Sequence, residues 1–250
     1  MTGWRELEAT LDAVALEGKA IRVWWRDDDA GRDHPNLDRL LELADRRGVP
    51  LALAVVPVWL EAPAQARIAA SSRTDILQHG IAHLNHAPAG AKSCELAGRE
   101  LEAIERDLAE GRARLVEAFG ADFVAVLVPP WNRIEPALIG RLTACGFCGL
   151  STYGRRPELE ATAGLIQVNT HLDPVDWRGD RLFVGEVAAL DRLIAVLDPD
   201  EPIGLLSHHL VMDEPGWAFF DRLLGLLAGH PGATLCSAHQ LFQPRNGTSA

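Results

Sequence analysis

Short apolar runs recur along the chain at 21–25, 51–56, 75–78, 123–128, 147–151, 165–170, 203–207 and 233–236, with amphipathic helical patterns between them. Runs of this length bounded by turn signals read as buried strands. The helical patterns cover 37–47, closed by Gly48; 94–119, closed by Gly120; 135–144, closed by Gly146; 186–197, closed by Pro199; and 217–228, closed by Gly229. Strand, helix, strand, repeated over the whole length, predicts a parallel sheet with right-handed crossovers. Seven or eight such units without a long linker favour a closed β/α barrel over an open doubly wound sheet. At 250 residues, one large domain over 21–240 is expected, with a helix over 1–20 before it and a loose tail over 241–250 after it.

Chemistry-bearing residues cluster where the strands end. Arg26-Asp27-Asp28-Asp29, His79-Gly80-Ile81-Ala82-His83, Asp173-Pro174-Val175-Asp176-Trp177 and Ser207-His208-His209 each follow an apolar run. A β/α barrel delivers the ends of all its strands to one rim, so residues far apart in sequence converge there. The first strand is followed by three carboxylates where a dinucleotide fold needs a glycine-rich turn, and no G-x-G-x-x-G or P-loop occurs. Carboxylates in that place repel phosphate and attract a cation.

Composition narrows the function classes. The 35 acidic against 24 basic side chains give a formal charge of -11, which argues against a nucleic-acid partner. The first twenty residues alternate Trp4, Leu7, Leu11, Val14 and Leu16 with charged residues, as an amphipathic helix rather than a signal peptide. No apolar stretch is long enough to predict a membrane span, and a cytoplasmic protein is the simplest expectation. Cys94, Cys145, Cys148 and Cys236 are expected as plain thiols, because Cys145-Gly-Phe-Cys148 has no second C-x-x-C to complete a metal knuckle. The Asn246-Gly-Thr sequon falls in the tail.

His79 and His83 form the best metal signal. Four residues apart on a helical turn, they would share a face with about 5 to 6 Å between their Cβ atoms, a span that one ion can bridge. The zincin motif is excluded, because Gly80 stands where that motif carries its glutamate. His86 extends the same face as a ligand, a supporting group or an exposed residue. In the Asp27-Asp28-Asp29 run, at least one carboxylate should project over the end of a buried strand, and a buried carboxylate needs a cation or a cationic partner.

Together these motifs resemble the polysaccharide deacetylases, the NodB-like carbohydrate esterases of family four. The family's Asp-Asp pair is matched best by Asp28 and Asp29, followed by Ala30-Gly31, and the resemblance implies Asp28 as general base and Asp29 as metal ligand; Asp27 stays open as an alternative register. The H-S/T-x-x-H motif is matched by His79 and His83 as ligands, with Gly80 in place of the hydroxyl residue. The third motif is half present in Val126-Leu-Val-Pro-Pro-Trp-Asn-Arg133. There the backbone N–H of Trp131 would help hold an oxyanion, whereas the family's arginine is missing and Arg133 or Arg26 would have to replace it from another direction. Asp173-Pro-Val-Asp176-Trp177 matches D-x-x-D-W, in which a carboxylate tunes the catalytic histidine and the tryptophan walls the acetyl pocket. His171 lies two residues upstream. Leu206-Ser-His208 matches L-x-H, leaving His209 as an extra.

The resemblance implies an α/β fold, the family's irregular (β/α)7-8 barrel, and one divalent ion, Zn or else Co, Ni or Fe. It also implies a hydrolase that removes an acetyl or other acyl group from an N-acylated sugar, with Asp28 as base and His208 as acid. Two other readings share these residues: hydrolysis of a small non-sugar amide, and a catalytically impaired protein that binds metal or carbohydrate. Nothing in the sequence sets the oligomeric state.

Overall fold

The computed structural model describes residues 2–243. The sequon and the segment from Pro244 to the C-terminus lie outside the described residues. In chain order the elements are α1 (Thr2–Leu16), β1 (Ile21–Ala30), α2 (Pro35–Arg47), β2 (Leu51–Val55), α3 (Ala62–Ala70), β3 (Thr74–His79), α4 (Leu101–Phe119), β4 (Phe123–Val128), α5 (Pro136–Ile139), β5 (Gly149–Leu150), β6 (Glu160–Thr162), β7 (Leu165–Gln167), α6 (Glu186–Ile194), β8 (Ile203–Ser207), α7 (Glu214–Gly229), β9 (Ala233–Leu235) and α8 (Ala238–Leu241). All eight expected strands are present. The short hairpin strand β6, α3 and α8 carry no strong periodic signal and add to the expected set.

The strands form one sheet in the order β6-β7-β5-β4-β3-β2-β1-β8, with β9 pairing the start of β1. Every pairing is parallel except the β6–β7 hairpin. The sheet curls without closing by regular ladders. Between the chain beyond β7 and β8 the circuit is spanned by one isolated bridge, Leu172 to Leu205, with Leu206 N–H donating to Leu172 O at 2.8 Å. The result is an irregular α/β barrel with a seam.

Alternation along β1 divides the core. Ile21, Val23 and Trp25 face outward into a large cluster shared with α1, α2 and α7. Trp24 faces inward with Ala52, Ala54, Leu77, Val126, Val128 and Val168, and Ala238 and Phe242 fill the same interior. The packed chain therefore extends to Phe242, inside the segment expected as tail; a Ser237–Gln240 capping box starts the helical turn that carries it. Helix ends are fixed by local chemistry elsewhere too. Asp213 caps α7 by accepting the Gly216 N–H, and His34 caps α2 by accepting the Asn36 N–H.

One long helix differs from expectation. The pattern over 94–119 predicts a single helix, but α4 begins only at Leu101. Gly98 has φ +71, and a Cβ there would collide with His86 O, so the chain from 94 to 97 packs as a loop against the segment after β3. Leu96 bridges Ile134 and the Asn85 side chain accepts the Cys94 N–H. The four cysteines are free thiols. No helix among the described residues is long and apolar enough to cross a membrane.

Candidate metal centre and active-site rim

A bulge in β1 builds the centre. Between Asp27, opposite Leu53, and Ala30, opposite Val55, β1 carries one residue more than β2, and Asp29 takes a left-handed φ of 70. The extra residue changes the parity of the strand. Arg26 and Asp28 face the interior, Ala30 faces the outer cluster, and Asp29 turns its carboxylate over the rim toward β3.

There Asp29 Oδ1 lies 3.3 Å from His79 Nε2 and 3.3 Å from His83 Nε2, and ligand atoms of the three residues all lie within 4.8 Å of one another. Oδ1 is buried yet has no hydrogen-bond partner. Metal–ligand bonds of about 2.0 to 2.1 Å arranged tetrahedrally give ligand–ligand edges of roughly 3.3 Å, so the two measured separations fit one small divalent ion. His79 Nδ1 lies 2.9 Å from Val128 O, which fixes the proton on that nitrogen and leaves Nε2 as a ligand. Burial works to raise the Asp29 carboxyl, but the adjoining His79, His208 and His83 imidazoles hold it well below the usual carboxylate range. Burial also pushes His79 down, and the Asp28 and Asp29 carboxylates outweigh it and raise this imidazole. His83, with burial dominant, is lowered. Negative charge is thus concentrated where a cation would sit.

The two histidines do not share a helical turn. His79 ends β3, and the chain then passes through Gly80 at φ 55 to His83 at φ 56, bringing the rings to 5.4 Å between centroids. Glu95, 2% exposed, shapes this loop. Its carboxylate accepts the N–H groups of Ile81 at 3.0 Å, Ala82 at 2.8 Å and Leu84 at 3.3 Å. A Cβ at residue 80 would collide with Glu95 Oε2 and come within 2.7 Å of Pro130 Cδ, so a hydroxyl residue has no room there. Sequence reasoning missed Glu95, because it lies in a segment that reads as helix. His86 takes no part in the centre; its backbone N–H bonds Cys94 O.

Asp28 meets the Arg26 guanidinium in a two-point contact, Nε to Oδ1 at 2.8 Å and Nη2 to Oδ2 at 2.9 Å, with both side chains almost fully buried. Arg26 also donates to Ser151 Oγ at 2.7 Å and Asn132 Oδ1 at 3.1 Å. Arg133 points elsewhere, to Ser93 O. Of the two arginines left open by the third motif, Arg26 is the one beside Asp28. Trp131, at φ 56, packs its ring 4.3 Å from that of His83.

Across the rim, Trp177 stands edge-on to His208 at 4.7 Å. Asp173 accepts the Trp177 Nε1–H at 2.6 Å, and Asp176 accepts the Arg178 and Gly179 N–H groups, so both carboxylates brace the loop. Neither accepts from the His208 ring, whose Nδ1 is buried without a hydrogen-bond partner. His171 lies outside the centre, its Nδ1 accepting the Gly204 N–H.

Solved structures resemble about nine tenths of the chain. A polysaccharide deacetylase described as putative, from Mycobacterium smegmatis, superimposes with a TM-score of 0.70 at 18% identity, covering 90% of this chain and 89% of its own. The fold is that of the polysaccharide deacetylases. A family 4 acetyl xylan esterase from Clostridium thermocellum, solved with a cobalt ion, shares this deacetylase fold with a TM-score of 0.60 at 18% identity over 88% of this chain and 90% of its own. A family pseudoenzyme from Bacillus anthracis has it too, with a TM-score of 0.60 at 12% identity over 90% of this chain and 66% of its own. No family model and no curated protein matches the sequence.

Proposed function

We propose that the chain is a metal-dependent hydrolase that removes an acyl group, acetyl first, from an N-acylated sugar or a related amide. The observation that carries this reading is the pairing of Asp28, gripped by buried Arg26, with the Asp29, His79 and His83 donor set. Those three residues would hold one divalent ion, Zn or another ion of the same borderline class. When bound, such an ion supplies Lewis acidity toward water and an acyl carbonyl. Asp28, oriented by the guanidinium, accepts the proton of the attacking water. The Trp131 N–H would donate to the developing oxyanion, and His208 gives a proton to the leaving nitrogen. Asp173 and Asp176 act through the loop, by fixing the Trp177 wall. The missing third-motif arginine favours a binder without activity, and Arg26 beside Asp28 supports the active reading against it.

Metal analysis combined with an N-acetylglucosamine oligomer assay tests the reading. About one divalent ion per chain is expected, lost in His79→Ala and in His83→Ala. Asp28→Asn should keep the ion and lower kcat about a hundredfold or more. Full occupancy in both histidine variants, or an Asp28→Asn variant as active as the parent, overturns it.

A further inference from the structure

Asp27 is the one member of the triple carboxylate that the proposed chemistry leaves unused, and it is fully buried on the face of β1 opposite Asp28. The hydrogen bonds to its carboxylate come from one short segment. Ser207 Oγ donates to Oδ2 at 2.6 Å, the His209 backbone N–H donates to Oδ2 at 3.0 Å, and His209 Nδ1 donates to Oδ1 at 2.5 Å. The residue between these anchors is His208. Both anchors are themselves fastened, since Trp25 Nε1 donates to Ser207 Oγ at 2.8 Å and Asn36 Nδ2 donates to His209 O at 2.8 Å.

The register explains the geometry. Asp27 lies opposite Ser207 in the β1–β8 ladder. If the alternation runs on past the strand end, Ser207 and His209 share the outer face and His208 points in. The His208 ring has little of its own to aim it: Nδ1 is without a hydrogen-bond partner, and the ring meets Trp177 edge-on. A charged acceptor holding two or more donors makes stronger hydrogen bonds than a neutral one, and here it clamps the main chain on both sides of the imidazole.

We propose that Asp27 and His209 form a positioning pair that aims His208 at the leaving group, an inference that rests on His208 being the proton donor proposed above. The three carboxylates then have separate tasks: Asp27 aims the acid, Asp28 serves as base, and Asp29 holds metal.

The test separates aim from fold by the leaving group. An amide nitrogen must be protonated as it departs, whereas p-nitrophenolate leaves without a proton. In the metal-loaded protein, His208→Ala should lower kcat on an N-acetylglucosamine oligomer about a hundredfold or more and lower p-nitrophenyl acetate hydrolysis far less. Asp27→Asn and His209→Leu should show the same division, with at least about a tenfold loss on the amide. His209→Asn, whose amide N–H replaces Nδ1, should restore the parent's ratio. Equal losses on both substrates, or no loss on either, overturn the proposal. A crystal structure of Asp27→Asn judges it independently of turnover: a turned or disordered His208 supports the proposal, and a His208 in its original place refutes it. A metal-loaded parent that cleaves neither substrate refutes the proposed function instead, and the crystallographic result still decides whether Asp27 aims His208.

Discussion

An arginine with no solvent exposure must find both a counter-charge and partners for its N–H groups, and Arg26 finds them in Asp28, Ser151 and Asn132. Removing one partner of such a pair strands the other, at a cost of about 3 to 5 kcal/mol. Arg26→Leu should lose stability on that scale in urea denaturation. Arg26→Lys keeps the charge but not the planar fork, so it should fold, bind metal and lower kcat on the amide. A fully active lysine variant would show that charge alone suffices. Part of this was legible beforehand: residues two apart on a strand share a face, which makes Arg26 a neighbour of Asp28 as soon as the strand is recognised. The aim of Asp29 was not legible, because alternation points it outward and only the bulge with its left-handed φ turns it to the histidines.

At the scale of elements, the strands were readable because each is an apolar run between punctuating residues, and their ends located the rim. The connection after β3 was not. Its shape comes from contacts between residues 80–84 and Glu95, more than ten positions on, and periodicity carries no information about such contacts. Glu95 is therefore a test of the connection as a unit. In Glu95→Gln one side of the group presents an amide to backbone N–H donors that need acceptors. The fold should survive, while metal affinity falls about 10- to 100-fold, the usual loss when a group supporting a ligand is altered. Titration with Co2+ reads the affinity, and an unchanged dissociation constant would show that His83 needs no such brace. Gly80→Ser should do similar harm by a different route, since the new side chain meets Glu95 and Pro130.

For the whole molecule, the barrel interior is apolar at one end and charged at the other. Phe242, stacked edge-on against Trp24 at 5.9 Å, fills the apolar end. Phe242→Ala should cost about 3 to 5 kcal/mol, measured by denaturant titration, although the residue reads from sequence as the start of a tail. The seam between β7 and β8 has its own consequence. His171 stands on it, donating its backbone N–H to Gly204 O at 2.7 Å and accepting the Gly204 N–H on Nδ1 at 3.1 Å. A second proton on that ring would occupy the lone pair that Gly204 uses. Burial lowers the His171 pKa, with Glu201 opposing, so the folded value lies below the unfolded value of about 6.5. Stability from this group is then present above about pH 6.5 and lost as pH falls through the folded value. Tm should fall with acid more steeply in the parent than in His171→Asn, and parallel slopes would exclude the linkage. The strand segment that this imidazole fastens runs directly into the loop that carries Trp177. Protonating this imidazole would therefore weaken the clasp, and with it the hold on the wall beside His208.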